Sequence, residues 1–225
     1  MTKTLALIAL LLFLPCLADA QTKAEEAIER NSRGAKLLKE GKANEAIAEF
    51  QKAVQLDPNY VPARQNLGYA YDRQGRSEEA MAHYQKAAEL DPKSSVVYNN
   101  LGVLYDKERR YDEAMAEFQK ALRVNPDDAQ ALKNLETAKK NKAVTEEREK
   151  AIVQALKAAE INPKDPRNSY NLARLYAVDG QKEQAIEWLA KALKLGYRDL
   201  DYLKVDPALK SLRDDSNFIR LLPTR

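Results

Sequence analysis

The chain has 225 residues, of which 44% are hydrophobic and 32% are charged, with only 7 glycines and 9 prolines. This balance favours a packed helical protein over a loop-rich or disordered one. The 37 basic residues nearly balance the 34 acidic ones, for a net charge of +3, and the two kinds are interspersed. A nucleic-acid backbone requires a one-sided basic face, so we expect no nucleic-acid partner.

The first twenty residues carry the three parts of a secretory signal peptide. Lys3 gives a positive start, an apolar run extends from Leu5 to Leu14, and Ala18 and Ala20 place small residues at the cleavage positions. We expect cleavage after Ala20, a mature chain that begins at Gln21, and export, in a bacterium to the periplasm. The exported chain would then have no stable membrane span.

Two alternatives remain open for this segment. An uncleaved anchor would need about 20 apolar residues, but Pro15 and Asp19 interrupt the run too early. Cys16 follows an apolar stretch, as the lipid-acceptor cysteine of a bacterial lipoprotein does, although Pro15 stands where that motif has a small residue. Cys16 is also the only cysteine, so the cleaved chain has no disulfide, catalytic thiol or thiolate metal site.

Beyond residue 26 the sequence repeats itself with a period of 34 residues. Glycine recurs at this step, and so do proline, two alanines and an aromatic residue. The recurring sets are Gly34, Gly68 and Gly102; Pro58, Pro92 and Pro126; Ala46, Ala80 and Ala114; Ala53, Ala87 and Ala121; and Phe50, Tyr84 and Phe118. Self-similarity at a fixed period of this size indicates a stacked array of small units.

Each unit is predicted to contain two antiparallel helices. In the second copy, apolar residues recur at helical spacing from Val61 to Gln74 and from Ser77 to Leu90. Gly75 lies between these segments and is suited to end the first helix in the left-handed conformation. Gly68 and Ala80 lack bulk, so the two helices can approach each other closely.

This pattern resembles the tetratricopeptide repeat, which has a large or aromatic residue, then Leu-Gly, then Tyr, and later Ala, an aromatic residue, Ala and Pro. The third copy matches most fully, with Tyr98, Leu101, Gly102, Tyr105, Ala114, Phe118, Ala121 and Pro126. The first copy has Arg30 at the leading aromatic position. The resemblance implies an all-α fold, a right-handed α-solenoid of about five helix-turn-helix repeats. These span residues 27–60, 61–94, 95–128, 129–165 and 166–199 within an array of residues 21–199.

The fourth copy departs from the pattern. Glu136 replaces the close-approach glycine, and three residues are inserted before Pro163. We expect its first helix to run longer and Thr145 to cap the second. The copy is either a degenerate packing unit or a special hinge or contact site.

Both ends of the array need closure. Thr22 and Glu25 have the spacing of a capping box and are predicted to start the first helix. Residues 200–225 resemble the short helical tail that closes many bacterial tetratricopeptide proteins, because an array must cover its last hydrophobic face. We expect Trp188, on the second helix of the fifth repeat, to lie beneath this tail. The covering side chains would be Leu203, Leu209, Leu212, Phe218 and Leu222.

The sequence offers little catalytic chemistry. His83 is the only histidine, and with no cysteine partners it cannot build a zinc cluster. Its position in the repeat predicts that His83 lies on the outer face of a second helix. Glycine-rich phosphate loops, nucleophile elbows and His-Glu-x-x-His motifs are missing from the sequence. We therefore predict no catalytic residues, no metal site and no cofactor.

The residues that favour binding are asparagines at the sixth position of repeats two to five: Asn66, Asn100, Asn134 and Asn171. The resemblance places this position on a concave groove, where an amide can pair with a ligand's backbone N–H and C=O. The alternative is a packing role, since asparagine is common here in the family. Further groove residues implied by the resemblance are Gln65, Tyr69, Arg73, Asn99, Val103, Lys107, Lys133, Arg167, Tyr170 and Arg174.

Some partner classes are less favoured than others. Chaperone-binding relatives grip a terminal carboxylate with a Lys/Asn/Lys/Arg clamp, whereas here its first two positions hold Asn31 and Ala35, or Gln65 and Tyr69. The basic character of the groove's C-terminal half favours an acidic ligand segment. We therefore predict an exported scaffold that binds a polypeptide segment in its groove. The alternative is a structural or self-assembling subunit of a cell-envelope complex.

Overall fold

The computed structural model describes residues 2–222, with side chains from residue 21 onwards. All regular structure in these residues is helical, so the predicted all-helical fold class is confirmed. The helices are α1 Thr2–Lys39, α2 Ala43–Leu56, α3 Val61–Arg73, α4 Ser77–Leu90, α5 Ser95–Lys107, α6 Tyr111–Val124, α7 Ala129–Ile161, α8 Pro166–Val178, α9 Lys182–Lys194, α10 Leu200–Val205, a 3₁₀ helix Pro207–Leu212 and α11 Ser216–Leu221. The chain divides into two compact units, Met1–Lys140 and Asn141–Arg225.

Unit 1 contains three pairs of helices, α1 with α2, α3 with α4, and α5 with α6. The pairs pack closely because a glycine on each first helix faces an aromatic ring on the second. A Cβ atom built on Gly102 would lie 2.5 Å from the ring of Phe118, and one on Gly68 would lie 3.0 Å from the ring of Tyr84. Phe118 and Tyr84 are themselves almost fully buried. The predicted close approach of the two helices is confirmed.

The turn inside each pair depends on a residue with positive φ. Gly41 and Gly75 have φ of 78° and 74°, as the turn predicted at Gly75 requires. In the third pair the equivalent residue is Arg109, with φ of 60°. A side chain disfavours this conformation. The third turn therefore depends on the packing of α5 against α6 and on the backbone hydrogen bond from the N–H of Arg110 to the oxygen of Tyr105 at 2.9 Å.

The first helices of unit 1 form one continuous side of the unit. Contacts join α1 to α3 and α3 to α5. In addition, α2 packs on both α1 and α3, and α4 packs on both α3 and α5. Successive first helices thus approach one another directly. We call the part of this surface that carries the predicted groove residues, among them Asn66, Tyr69 and Asn100, the first-helix face.

The fourth repeat is not a helix pair. α7 runs without a break from Ala129 to Ile161, so the prediction that Thr145 begins a second helix is wrong. The position of the turn glycine is taken by Ala143, and the surrounding lysines and glutamates are good helix formers. Thr22 likewise lies inside α1, so the predicted helix start at Thr22 is wrong.

Unit 2 consists of the last part of α7, the pair α8 and α9, and the C-terminal segment. Leu203, Leu209 and Leu212 are fully buried, and Phe218 is 2% exposed. They share one apolar cluster with residues of α8 and α9, including Ala173 and Leu189. The C-terminal segment therefore supplies a large part of the core of unit 2.

Trp188 on α9 is half-buried and has two sets of neighbours. It packs against the cluster that contains the C-terminal leucines, and also against Ala155 and Ala159 of α7. The C-terminal segment is therefore not its only cover.

Candidate functional site

The first twenty residues, with the predicted signal peptide and Cys16, lie outside the part of the chain whose side chains are described. Within the described part, no helix is both long enough and apolar enough to cross a membrane. The same residues contain no group of three or more His, Cys, Asp and Glu side chains that could hold a metal ion.

His83 is a packing residue and does not lie on an exposed outer face as predicted. Its imidazole is half-buried and stacks on the ring of Tyr71, with centroids 5.6 Å apart and planes inclined by 19°. Burial, together with the charge of Arg64, lowers its pKa below the ordinary value of 6.5, although Glu79 acts in the opposite direction. The ring is therefore neutral at pH 7.

Two of the predicted groove asparagines are bonded to the preceding first helix. The side-chain amide of Asn66 donates to Oδ1 of Asn31 at 2.8 Å, and that of Asn134 donates to Oδ1 of Asn99 at 2.9 Å. All four side chains are half-buried. These amides therefore join neighbouring repeats, which is the packing role that the sequence left open.

Asn100 differs from both. The equivalent partner on the preceding helix is Gln65, but the amide of Gln65 donates to Oγ of Ser94 at 3.1 Å. Among the described residues no hydrogen bond involves the Asn100 side chain, which is half-buried on the first-helix face. Its amide is thus available to a ligand.

Among the other predicted groove residues of unit 1, some side chains form an ion pair and others are exposed without one. Nζ of Lys107 lies 2.7 Å from Oδ2 of Asp72, which partly neutralises it. Tyr69 is 43% exposed. Arg73 and Lys133 are exposed and have no ion pair within the described residues. Open cations and an exposed ring therefore occupy the first-helix face.

In unit 2 only part of the predicted groove is accessible. Asn171 and Arg167 are exposed, and Arg167 is paired with Asp165 at 2.8 Å. Tyr170 is 7% exposed and donates its hydroxyl to Oδ2 of Asp206 at 2.6 Å, while Nε of Arg174 lies 2.8 Å from the same oxygen. Tyr170 is therefore covered while the C-terminal segment is in place, whereas the Arg174 side chain remains 40% exposed and their assignment to ligand binding stays a prediction.

Asp206 is a key residue that the sequence analysis missed. Its side chain is fully buried, and Oδ1 accepts from the backbone N–H of Ala208 at 2.9 Å, which caps the 3₁₀ helix. Burial and the bond to Asp206 raise the pKa of Tyr170 above its ordinary range. The one available sequence signal was an aspartate immediately before Pro207, which is typical of a helix start.

The C-terminal segment occupies the place of a further first helix. In unit 1, side-chain contacts between successive first helices join residues 35 apart, as in Asn31 and Asn66. In unit 2, Tyr170 and Asp206 are 36 apart, and Ser211 donates to the backbone oxygen of Ala177, 34 residues earlier. The acidic group expected in a ligand is thus supplied to Tyr170 and Arg174 by this chain itself.

Comparison with known proteins identifies the repeat. Two family models described as Tetratricopeptide repeat match the chain, one at residues 37–83 and 73–138 and the other at residues 155–187. A comparison with curated proteins gives no match.

Three solved structures are similar in fold, each with 23% identity. The first TPR domain of human RPAP3 covers 55% of this chain and 98% of its own, with a TM-score of 0.53. The first TPR of Spaghetti (RPAP3), bound to the HSP90 peptide SRMEEVD, covers 53% and 95%, with a TM-score of 0.52. The Arabidopsis OM64 TPR domain covers 52% and 98%, with a TM-score of 0.51. At 23% identity, the similarity to these structures shows a shared fold.

Proposed function

Because this chain belongs to the tetratricopeptide repeat family, we propose that it is an exported, non-catalytic scaffold that holds an extended polypeptide segment along the first-helix face of unit 1. The observation that carries the proposal is the Asn100 side chain. Its amide is unbonded within the described residues, while the equivalent amides of Asn66 and Asn134 bond to neighbouring helices.

The proposed binding chemistry follows from the side chains around Asn100. A single amide both donates and accepts, so Asn100 can pair with the backbone of a ligand whatever its side chains are. Tyr69 offers an exposed aromatic ring for apolar contact, and the open cations Arg73 and Lys133 favour a ligand segment with acidic residues. Lys107 contributes less, because Asp72 partly neutralises it.

Site-specific photocrosslinking tests where the partner binds. A photoreactive residue placed at Tyr69 should capture a polypeptide from the native compartment, whereas one at Gln119, exposed on α6, should not. Mass spectrometry of the adduct gives the bound segment, which can then be synthesised. Equal capture from both positions would place binding away from the first-helix face and contradict the proposal.

The synthetic segment allows Asn100 itself to be tested. Asn100→Ala should weaken binding by about 0.5–1.5 kcal/mol, or about 2- to 12-fold, because one neutral hydrogen bond is lost. The matched control is Asn44→Ala, which changes an exposed asparagine on α2. An unchanged affinity in the Asn100 variant would remove the main support for the groove.

Export is a separate part of the proposal, supported by Lys3, the apolar run from Leu5 to Leu14, and Ala18 and Ala20. The intact mass of the secreted protein should correspond to a chain that begins at Gln21. A product that begins at Cys16 and carries acyl chains would instead show a lipoprotein.

A further inference from the structure

A cleft lies between α4, α5 and α6, and none of its lining residues belongs to the first-helix face. Its volume is about 380 Å³, and its lining includes Gln85, Glu89, Tyr98, Tyr105, Glu117 and Lys120. The cleft thus combines two carboxylates and two aromatic rings with one lysine.

Glu117 has one bonded and one unbonded carboxylate oxygen. Its side chain is only 12% exposed, and Oε1 accepts from Nζ of Lys120 at 2.5 Å. Oε2 is buried and has no hydrogen-bond partner among the described residues. A buried carboxylate oxygen without a donor is unfavourable, so this atom is suited to accept a bond from a ligand.

Glu49 shows what the same position looks like when both oxygens are bonded. It lies two repeats before Glu117, and its Oε1 accepts from Nζ of Lys52 at 3.1 Å. Its Oε2 accepts from Nη1 of Arg30 at 3.2 Å. Lys52 is the equivalent of Lys120, so one half of the arrangement is the same in both repeats.

The other half differs because the residue equivalent to Arg30 is Tyr98. The first repeat therefore supplies a guanidinium to its own glutamate, and the third repeat does not. In place of that guanidinium, the third repeat has an open cleft beside an aromatic ring.

We propose that this cleft binds the guanidinium group of an arginine side chain from another polypeptide, with Oε2 of Glu117 as the acceptor. The ring of Tyr98 provides a face for the planar group, with Nζ of Lys120 already 5.8 Å from its centroid. Glu89 adds negative charge at the cleft, offset by its pairing with Lys86 at 2.7 Å.

Other contacts in this chain show that the repeat tyrosines accept a guanidinium. The guanidinium carbon of Arg110 lies 4.5 Å from the ring centroid of Tyr105, and that of Arg76 lies 4.3 Å from the ring of Tyr71. Arg110 covers one face of Tyr105 at 4.5 Å, whereas Lys120 lies farther from the ring of Tyr98, at 5.8 Å, so Tyr98 is the less covered ring. The site is independent of the proposed groove, because none of its residues belongs to the first-helix face.

The test is an NMR titration of the folded protein with the peptide acetyl-Gly-Arg-Gly-amide. The matched probe replaces arginine by citrulline, which has almost the same shape but no charge. The arginine peptide should produce saturable shifts in the amide signals of Gln85, Tyr98 and Lys120, and the citrulline peptide should not. Equal responses to both peptides would overturn the proposal.

Two variants assign the binding to Glu117. Glu117→Gln removes the charge with little change in shape and should weaken binding of the arginine peptide at least about tenfold. Tyr98→Arg should supply the guanidinium internally, as Arg30 does, and should also abolish binding. Glu78→Gln, an exposed change at the start of α4, is the control and should bind normally. The proposal would be overturned if Glu117→Gln or Tyr98→Arg bound the arginine peptide as tightly as the unchanged protein, while the amide spectrum of that variant showed a native fold.

Discussion

The side-chain amide of Asn66 donates to Oδ1 of Asn31 across the boundary between the first two repeats, at 2.8 Å. Asn134 and Asn99 repeat the relationship across the boundary between the third and fourth. Asparagine at one position of the repeat therefore has two different environments. Asn66 and Asn134 connect helices, while the side chain of Asn100 has no hydrogen bond among the described residues.

This difference predicts separate effects on stability. Asn66→Ala and Asn134→Ala should each lower the free energy of unfolding by about 0.5–1.5 kcal/mol, since each loses a half-buried hydrogen bond. Asn100→Ala should change it by less than about 0.5 kcal/mol. Urea unfolding followed by circular dichroism measures all three. A loss in Asn100→Ala as large as in the other two would mean that Asn100 is also a packing residue.

The C-terminal segment gives a second prediction. Tyr170→Phe removes a hydroxyl that bonds a fully buried carboxylate and should cost about 1.5–3 kcal/mol in the stability of unit 2. Trp188 is the only tryptophan and belongs to this unit, so its fluorescence reports the unfolding. Tyr176→Phe is the control, because the hydroxyl of Tyr176 has no bond within the described residues. Similar losses in both variants would show that the bond to Asp206 contributes little.

A third prediction concerns pH. The pKa of His83 is lowered by burial in the folded protein, while in the unfolded chain it is near 6.5. The unfolded chain therefore binds more protons, and stability present above pH 6.5 is lost as the pH falls through the folded pKa. His83 is the only histidine, and the lowered pKa of Glu49 matters only below about 4.5. Thermal unfolding between pH 7 and 5 should show this loss, and His83→Gln should remove most of it.

The fourth prediction concerns helix approach. A methyl group on Gly102 would lie 2.5 to 2.9 Å from three atoms of the Phe118 ring, so Gly102→Ala should destabilise the protein by about 1–3 kcal/mol. Gly68→Ala should cost less, because the nearest ring atoms of Tyr84 are 3.0 Å away. Alanine's better helix propensity, about 1 kcal/mol, offsets part of either loss. Equal losses in calorimetry would contradict this ranking.

The repeat fold was predictable because glycine, alanine and aromatic residues recur at one period, and each has a packing reason at its position. The fourth repeat was not predictable in the same way. Whether a turn forms near Ala143 depends on a small free-energy difference between a turn and a continuous helix, since Arg109 takes the same turn without a glycine. There, favourable packing outweighs backbone strain; at Ala143, helix propensity prevails.

The site was only partly predictable. Residues 31 and 66, and 99 and 134, are asparagine pairs 35 apart, so the sequence already contained the sign of a bond between repeats. The hydrogen bond between Tyr170 and Asp206 could not be predicted in this way, because the C-terminal segment does not follow the repeat pattern. Its position depends on the burial of its leucines, which sequence spacing alone does not determine.

The contacts between first helices also determine how unit 1 unfolds. Asn31 with Asn66, Asp72 with Lys107, and Asn99 with Asn134 are each 35 residues apart, so they cross the three repeat boundaries of unit 1 in turn. In a repeat array, cooperativity depends on the coupling between neighbours. A bond at every boundary, added to apolar packing, makes it costly for one repeat to open alone. Amide hydrogen exchange in α3 to α6 should therefore follow a single opening event, in which these two helix pairs lose protection together.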